Sequence, residues 1–404
     1  MSVTVTSDHH RVRAVTPSTQ RQSQPVGASA MWSTGAWRHG SSEGSRKSVD
    51  IGGLRLETGG ALPQVRVAYE TWGTLNAARD NAVLVEHALT GDSHVSGAAG
   101  AGHPTPGWWH GLIGPGRPLD TDRWFVLASN VLGGCQGTTG PSSQAPDGRP
   151  WGSRFPFVTI RDQVATEAAL ADQLGIPSWA AVLGGSMGGM RALEWAVTYP
   201  DRVRRCIVLA CAAYASAEQI AWCQPQLLAI RHDANFADGD YYDHPEGPDL
   251  GLGLARRIAH VTYRSELELD ARFGREAQGE EEPLGGGGRY SVESYLDRHA
   301  EKLAVRFDAN SYVVLTESMN SHDIGRGRGG VEAALERVTA DLVVVGVDSD
   351  RLYPLRLSHE IARAAASSDP AHIISSEHGH DGFLIEIGQV GRILRETMSR
   401  TRAR

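Results

Sequence analysis

The chain has 404 residues, with 47 acidic against 39 basic side chains and a formal net charge of −8. That length holds one large domain with an insertion, or two domains, with a sizeable core. The acid excess and the lack of a long basic run argue against nucleic acid or an anionic membrane as partner, and the longest apolar runs, such as 206–214, are too short to span a bilayer.

Residues 1–40 open the chain. The first 35 or so are rich in Ser, Thr, Gln and Arg without periodicity. They carry no continuous apolar stretch of a secretory signal, and Asp8 and the missing amphipathic pattern argue against a transit peptide. Disorder is expected there. Four cysteines, Cys135, Cys206, Cys211 and Cys223, show no CxxC spacing. Reduced, mostly packed thiols in a cytoplasmic protein are expected.

From 41 to 214 short β-rich runs alternate with helical ones. Val65 to Thr71 alternates and reads as a half-buried strand; 82–86 and 124–127 are denser and read as interior strands. Between 159 and 174 the spacing of Val164, Ala168, Ala171 and Leu174 predicts a helix. Thr159 and Asp162 suit a capping box at its start, and Gly175 suits its stop. A strand at 179–183, a helix to about 199 and a strand at 206–210 follow. Such alternation predicts an α/β fold, a mainly parallel sheet covered by helices on both faces.

Within that stretch stands Gly184-Gly185-Ser186-Met187-Gly188, of the form G-x-S-x-G. Lying between a strand and a helix, it predicts a nucleophile elbow with the Ser186 hydroxyl raised at the sheet's edge. The glycines are expected where neighbouring backbone leaves no room for a Cβ.

Residues 215–330 read as helical, with loops rich in Asp, Gly, Glu and Arg, and are expected to form a helical lid inserted into the sheet domain. Gly285-Gly286-Gly287-Gly288 is a surface turn in this reading. From 331 to 404 the sheet pattern returns, with strands at 342–347 and 372–375 and a last helix from 388 to about 400.

A serine hydroxyl needs a base, and the base an orienting acid. At a nucleophile elbow the chain order is Ser, acid, His. After Ser186, the strand 342–347 leads into Asp348 and Asp350, and the next strand into His378 and His380. Acid and base therefore leave the carboxyl ends of strands beside the elbow. Spacing alone leaves both pairs open. The oxyanion calls for two N–H donors: the Met187 amide after the nucleophile and, from the loop His87-Ala88-Leu89-Thr90-Gly91, the Leu89 amide. The 16 histidines show no H-E-x-x-H or paired-cysteine spacing, so no metal site is expected.

Several further stretches carry a resemblance. They are His87-Ala88-Leu89-Thr90-Gly91, Gly133-Gly134-Cys135-Gln136-Gly137-Thr138-Thr139-Gly140-Pro141, Gly184-Gly185-Ser186-Met187-Gly188-Gly189-Met190, Ala259-His260-Val261-Thr262-Tyr263, Arg306-Phe307-Asp308-Ala309-Asn310-Ser311-Tyr312 and Asp348-Ser349-Asp350-Arg351-Leu352-Tyr353-Pro354. From about residue 48 onward the chain resembles the homoserine O-acetyltransferases of methionine biosynthesis, which have the α/β-hydrolase fold. The resemblance implies Asp350 as the acid and His380 as the base. It implies Arg256 and Asp381 as the residues that bind the acceptor's carboxylate and ammonium, with Arg257 the rival of Arg256. Tyr263 and Asp308 are given structural roles in lid and pocket. The family's common motif has Ala where Gly382 stands here. The resemblance further implies acetyl-CoA and L-homoserine as substrates, no cofactor, and a homodimer formed through the lid helices. Relatives that use succinyl-CoA, serine or deacetylcephalosporin C share these motifs. A plain esterase, and a binding protein without activity, are the rival functions.

Overall fold

In a computed structural model, the described residues are 34–400. Eight strands form one sheet: β1 (Lys47–Asp50), β2 (Arg66–Trp72), β3 (Ala82–Glu86), β4 (Phe125–Ser129), β5 (Ala181–Gly185), β6 (Arg205–Leu209), β7 (Asp341–Val347) and β8 (His372–Ile374). Their spatial order is β1-β2-β4-β3-β5-β6-β7-β8. β2 runs antiparallel to both its neighbours, and every other pairing is parallel. Parallel neighbours need crossovers, and helices supply most of them: α1 (Ile160–Gln173), α2 (Met187–Thr198), and later α8 (Val331–Leu335) and α9 (Leu355–Ala364), while α10 (Gly382–Ile385) and α11 (Ile387–Ser399) follow the last strand.

Side chains of a strand alternate between faces, and both faces here are apolar. Leu84, Leu127, Val182, Val208 and Val344 pack with α1, α2 and α9 through Val164, Ala171, Leu193, Trp195 and Ile361. Val83, Val85, Val126, Leu183, Ile207 and Val345 point the other way and pack with Trp109, Val390 and Leu394, the last two from α11. The start of α1 follows the sequence closely: Thr159 accepts the Asp162 N–H while Asp162 accepts the Thr159 N–H, and Gly175 takes φ +66° just beyond the helix.

Between β6 and β7 lie α3 (Ala217–Arg231), α4 (Asp249–Tyr263), α5 (Glu266–Phe273), α6 (Ser291–Ala304) and α7 (Ala309–Asn320). They cover the carboxyl edge of the sheet. Leu227, Ile230, Leu252, Ala255, Tyr312 and Leu315 from these helices pack with Leu89, Met187 and Met190 around the elbow. The four-glycine run sits in a turn, with Gly285 and Gly286 at positive φ. No helix among the described residues is long and apolar enough to cross a membrane.

The expected disorder of residues 1–40 falls mostly on 1–33, outside the described residues. For the described end the expectation needs correction. Thr34 donates to the Asp308 carboxylate at 2.7 Å, Gly35 N–H to the Phe307 carbonyl and Trp37 N–H to the Cys135 carbonyl. Composition marks the segment as polar, but it cannot show partners that lie 98 or more residues away.

Candidate active site

Ser186 stands between the last residue of β5 and the first of α2, with φ 57° and ψ −126°. A non-glycine residue is strained at positive φ, so the turn must be held from outside. Its N–H donates to the Leu209 carbonyl at 2.9 Å. The flanking glycines permit close approach. A Cβ on Gly188 would stand 2.2 Å from the Glu86 carbonyl oxygen, one on Gly184 2.6 Å from Gly188 backbone, and one on Gly185 2.3 Å from the Phe383 ring.

The acid and base leave β7 and β8. Asp350 Oδ1 accepts the Leu352 and Tyr353 N–H groups at 2.9 and 2.8 Å, and its Oδ2 lies 2.7 Å from His380 Nδ1. Both residues are buried. The rivals have other partners. Asp348 accepts the Ser376 N–H at 3.0 Å and braces the loop. His378 faces Glu268 at 3.3 Å. Burial opposes a charged imidazolium at His380, but the Asp350 carboxylate and its hydrogen bond, with Asp381 behind them, hold its pKa above the ordinary value.

Ser186, His380, Leu89, Arg256 and Asp381 line one cavity of about 190 Å³. Two of the residues singled out in the sequence are not on its walls. Asp350 reaches the site only through His380, and Met187 is buried, its amide beginning α2, where helix N–H groups lack an intrahelical partner.

Sequence reasoning missed what holds the Leu89 loop. His87 accepts the Val131 N–H at Nε2 (3.1 Å), which leaves Nδ1 to donate to the Ala88 carbonyl at 2.8 Å. Burial, and then the charge of Arg191, push its pKa down to about 3, so the ring is a neutral brace. Arg191, fully buried on α2, donates to the His87 carbonyl at 2.8 Å and pairs with Glu86 and Glu167 at 2.9 and 2.7 Å. Burial drives Glu86 well above the carboxylate range; Arg191 opposes this and Glu167 adds to it. The Arg191 partners are 24 or more positions distant in the chain, and no local pattern announces them.

On the lid side, Arg256 lays its guanidinium over the Tyr263 ring, 5.3 Å from the centroid. Its Nε and Nη1 are buried without a hydrogen-bond partner. Arg257 turns instead to Asp297 on α6, at 2.9 and 2.7 Å. Asp381 is held at Oδ2 by Arg264, 3.3 Å away. Asp308 caps α7 and accepts from Thr34, Tyr241 and Tyr242 as well. Gly382 is tight: a Cβ there would meet Val347 at 2.7 Å, so the alanine common in the motif requires a shift in this chain. Cys135, Cys206 and Cys211 are buried free thiols and Cys223 is partly buried; burial raises the pKa of all four.

One group of metal-ligand type occurs among the described residues, Glu70, His94 and His103, with ligand atoms within 4.8 Å of one another. Hydrogen bonds already engage it. His94 Nδ1 faces Glu70 at 3.0 Å and Nε2 the Ala98 carbonyl at 3.3 Å, while His103 Nε2 accepts the Ser45 N–H at 3.1 Å. It braces the loop after β3.

A serine at a strained elbow, an imidazole held by a carboxylate and a buried cavity with cationic and anionic walls are what covalent acyl chemistry needs. The model of the alpha/beta hydrolase fold family matches residues 81–386. A homoserine O-acetyltransferase from Thermobifida fusca is 64% identical over 368 residues, 91% of this chain and 97% of that protein. Among solved structures, homoserine O-acetyltransferase from Bacillus anthracis superposes with TM-score 0.81 at 29% identity, covering 89% of this chain and 98% of that one. Esterase E22 superposes with TM-score 0.79 at 28% identity, covering 88% and 99%.

Proposed function

The chain belongs to the homoserine O-acetyltransferases, within the alpha/beta hydrolase fold, and from that premise we propose that it moves an acetyl group from acetyl-CoA to the hydroxyl of L-homoserine through an acetyl-Ser186 intermediate. The observation that carries the reading is the single cavity shared by Ser186, His380, Arg256 and Asp381.

In this scheme His380 takes the Ser186 proton while Oγ attacks the thioester carbon. The Leu89 and Met187 amides hold the oxyanion. The C–S bond breaks, and His380 returns the proton to the departing sulfur of coenzyme A. Homoserine follows. His380 takes the proton of its hydroxyl, the oxygen attacks the acetyl carbon, and Ser186 leaves with the proton. Asp350 keeps Nδ1 protonated and steadies the imidazolium throughout. Arg256 forks onto the substrate carboxylate, and Asp381 takes the ammonium. Acetyl-CoA is a co-substrate, and no cofactor or metal ion enters the scheme.

Transfer rather than hydrolysis requires that water be kept from the acetyl-enzyme while the acceptor is held in line. Ser186 is 7% exposed, and the unpartnered nitrogens of Arg256 await an anion. The likeness to esterase E22 favours hydrolysis as the second reading. The product, O-acetylhomoserine, is assigned to methionine biosynthesis in the cytoplasm. Exposed Trp222 and Leu228 on α3 and Leu250 and Leu254 on α4 support a homodimer through the lid helices. A panel of acetyl-CoA and succinyl-CoA against homoserine and serine tests the reading. Acetyl transfer to homoserine is expected to dominate. A preference for succinyl-CoA or serine overturns the substrate assignment, and hydrolysis outpacing transfer makes the protein an esterase.

A further inference from the structure

Asp381 does not meet the cavity alone. Arg264, where α4 passes into α5, places Nη2 3.3 Å from Asp381 Oδ2 and Nη1 3.2 Å from both oxygens of Glu268. These side chains are only 13%, 17% and 10% exposed. One guanidinium therefore spans two carboxylates, and Arg272 also approaches Glu268, at 3.8 Å. Among the described residues no hydrogen bond engages Asp381 Oδ1, and Asp381 stands on the cavity wall.

We propose that Arg264 is a positioning residue for the acceptor: it fixes the Asp381 carboxylate by one oxygen so that the other, still charged, receives the substrate's amino group. This rests on the function proposed above. The titratable and charged groups facing Asp381 are Arg264, Arg256, Glu268, Tyr263 and Tyr295 from the lid and its neighbour His380. Burial raises the Asp381 pKa most; Arg264 is the foremost charge pulling it back, followed by His380 and Arg256, while Glu268 adds to the rise. Arg264 thus favours the ionised form that an ammonium needs.

The test uses the full-length enzyme with Arg264→Gln and Glu268→Gln. Acceptors are homoserine and 4-hydroxybutyrate, which keeps the hydroxyl and carboxylate and lacks the amine. For Arg264→Gln, the burst of acetyl-Ser186 from acetyl-CoA is expected to persist. Its kcat/KM for homoserine is expected to fall about tenfold or more, the scale of a lost charge-assisted contact, with 4-hydroxybutyrate little changed. Neutral His380 sets the acid limb on either acceptor, so Asp381 is read from the ratio of homoserine to 4-hydroxybutyrate kcat/KM. As pH falls, that ratio should collapse at higher pH than in wild type in Arg264→Gln and at lower pH in Glu268→Gln. Equal losses on both acceptors, or a ratio whose pH dependence stays put, overturn the proposal. If Arg264→Gln fails to fold, the Glu268→Gln ratio decides alone. A wild-type enzyme that does not acetylate homoserine at all refutes the parent reading instead, a result separate from either outcome.

Discussion

His380 Nδ1 lies 2.7 Å from Asp350 Oδ2, and the other oxygen of Asp350 accepts two backbone N–H groups of its own loop. The carboxylate is thus anchored by its loop before it orients the ring. Asp350→Asn keeps the shape but aims a donor at Nδ1 and selects the tautomer that cannot serve as base. In Ser-His-Asp triads this exchange costs about 10⁴ in kcat, and a similar loss is expected here in the homoserine assay. A loss below about tenfold would sink the role given to Asp350.

Activity should show the shift at His380. Burial disfavours its charge, but Asp350 and Asp381 raise its pKa above 6.5. The base works neutral, so kcat/KM for acetyl-CoA should climb with pH through a midpoint above 6.5, and Asp350→Asn should lower that midpoint. Stability runs the other way. A raised folded-state pKa contributes fully below the unfolded value and fades as pH rises through the folded value. The Asp350–His380 contribution should therefore decline toward alkaline pH in denaturant titrations of wild type against Asp350→Asn. A wild-type rate midpoint below 6.5 would contradict the geometry.

Ser186→Ala should leave the fold intact and form no acetyl-enzyme. Intact-protein mass spectrometry after mixing with acetyl-CoA alone should show one added acetyl group in wild type and none in the variant. Full turnover by Ser186→Ala would require direct transfer between substrates.

Arg256→Ala should raise the homoserine KM by about ten- to a hundredfold, the range for a lost charged hydrogen bond, while the acetylation burst stays near wild type. Arg257→Ala, which removes only the Asp297 contact, should change the KM little. If the two variants exchange these behaviours, the acceptor's anchor has been misplaced.

Gly188→Ala drives a methyl group against the Glu86 carbonyl oxygen, 2.2 Å from where the Cβ would stand. Overpacking of this kind costs about 1–3 kcal/mol. A lower melting temperature and slowed labelling of Ser186 by a fluorophosphonate are expected together. Unchanged labelling would show that the elbow yields without moving its serine.

Much of this was legible in the sequence because the signals are local. The capping pair Thr159 and Asp162, the dense strands and the G-x-S-x-G turn each declare themselves within a few residues. The choice of Asp350 over Asp348, and of His380 over His378, came from the family resemblance. Alternation and spacing treat the members of each pair alike, and only loop geometry separates them. The Arg264–Asp381 contact joins positions 117 apart, and Arg191 reaches Glu86 from a helix that follows a different strand. Such pairings depend on how lid and sheet meet, which no window of sequence contains.

Gly379 lets the backbone of Tyr263, Arg264 and Ser265 press onto the histidine's own turn, within 2.7 to 2.8 Å of where a side chain would begin, and Ser265 also donates to the Glu377 carbonyl. The roof of the chamber is thereby bolted to the loop that carries the base. Any swing of that roof would carry His380 with it, so the movement of the lid and the placing of the base are coupled.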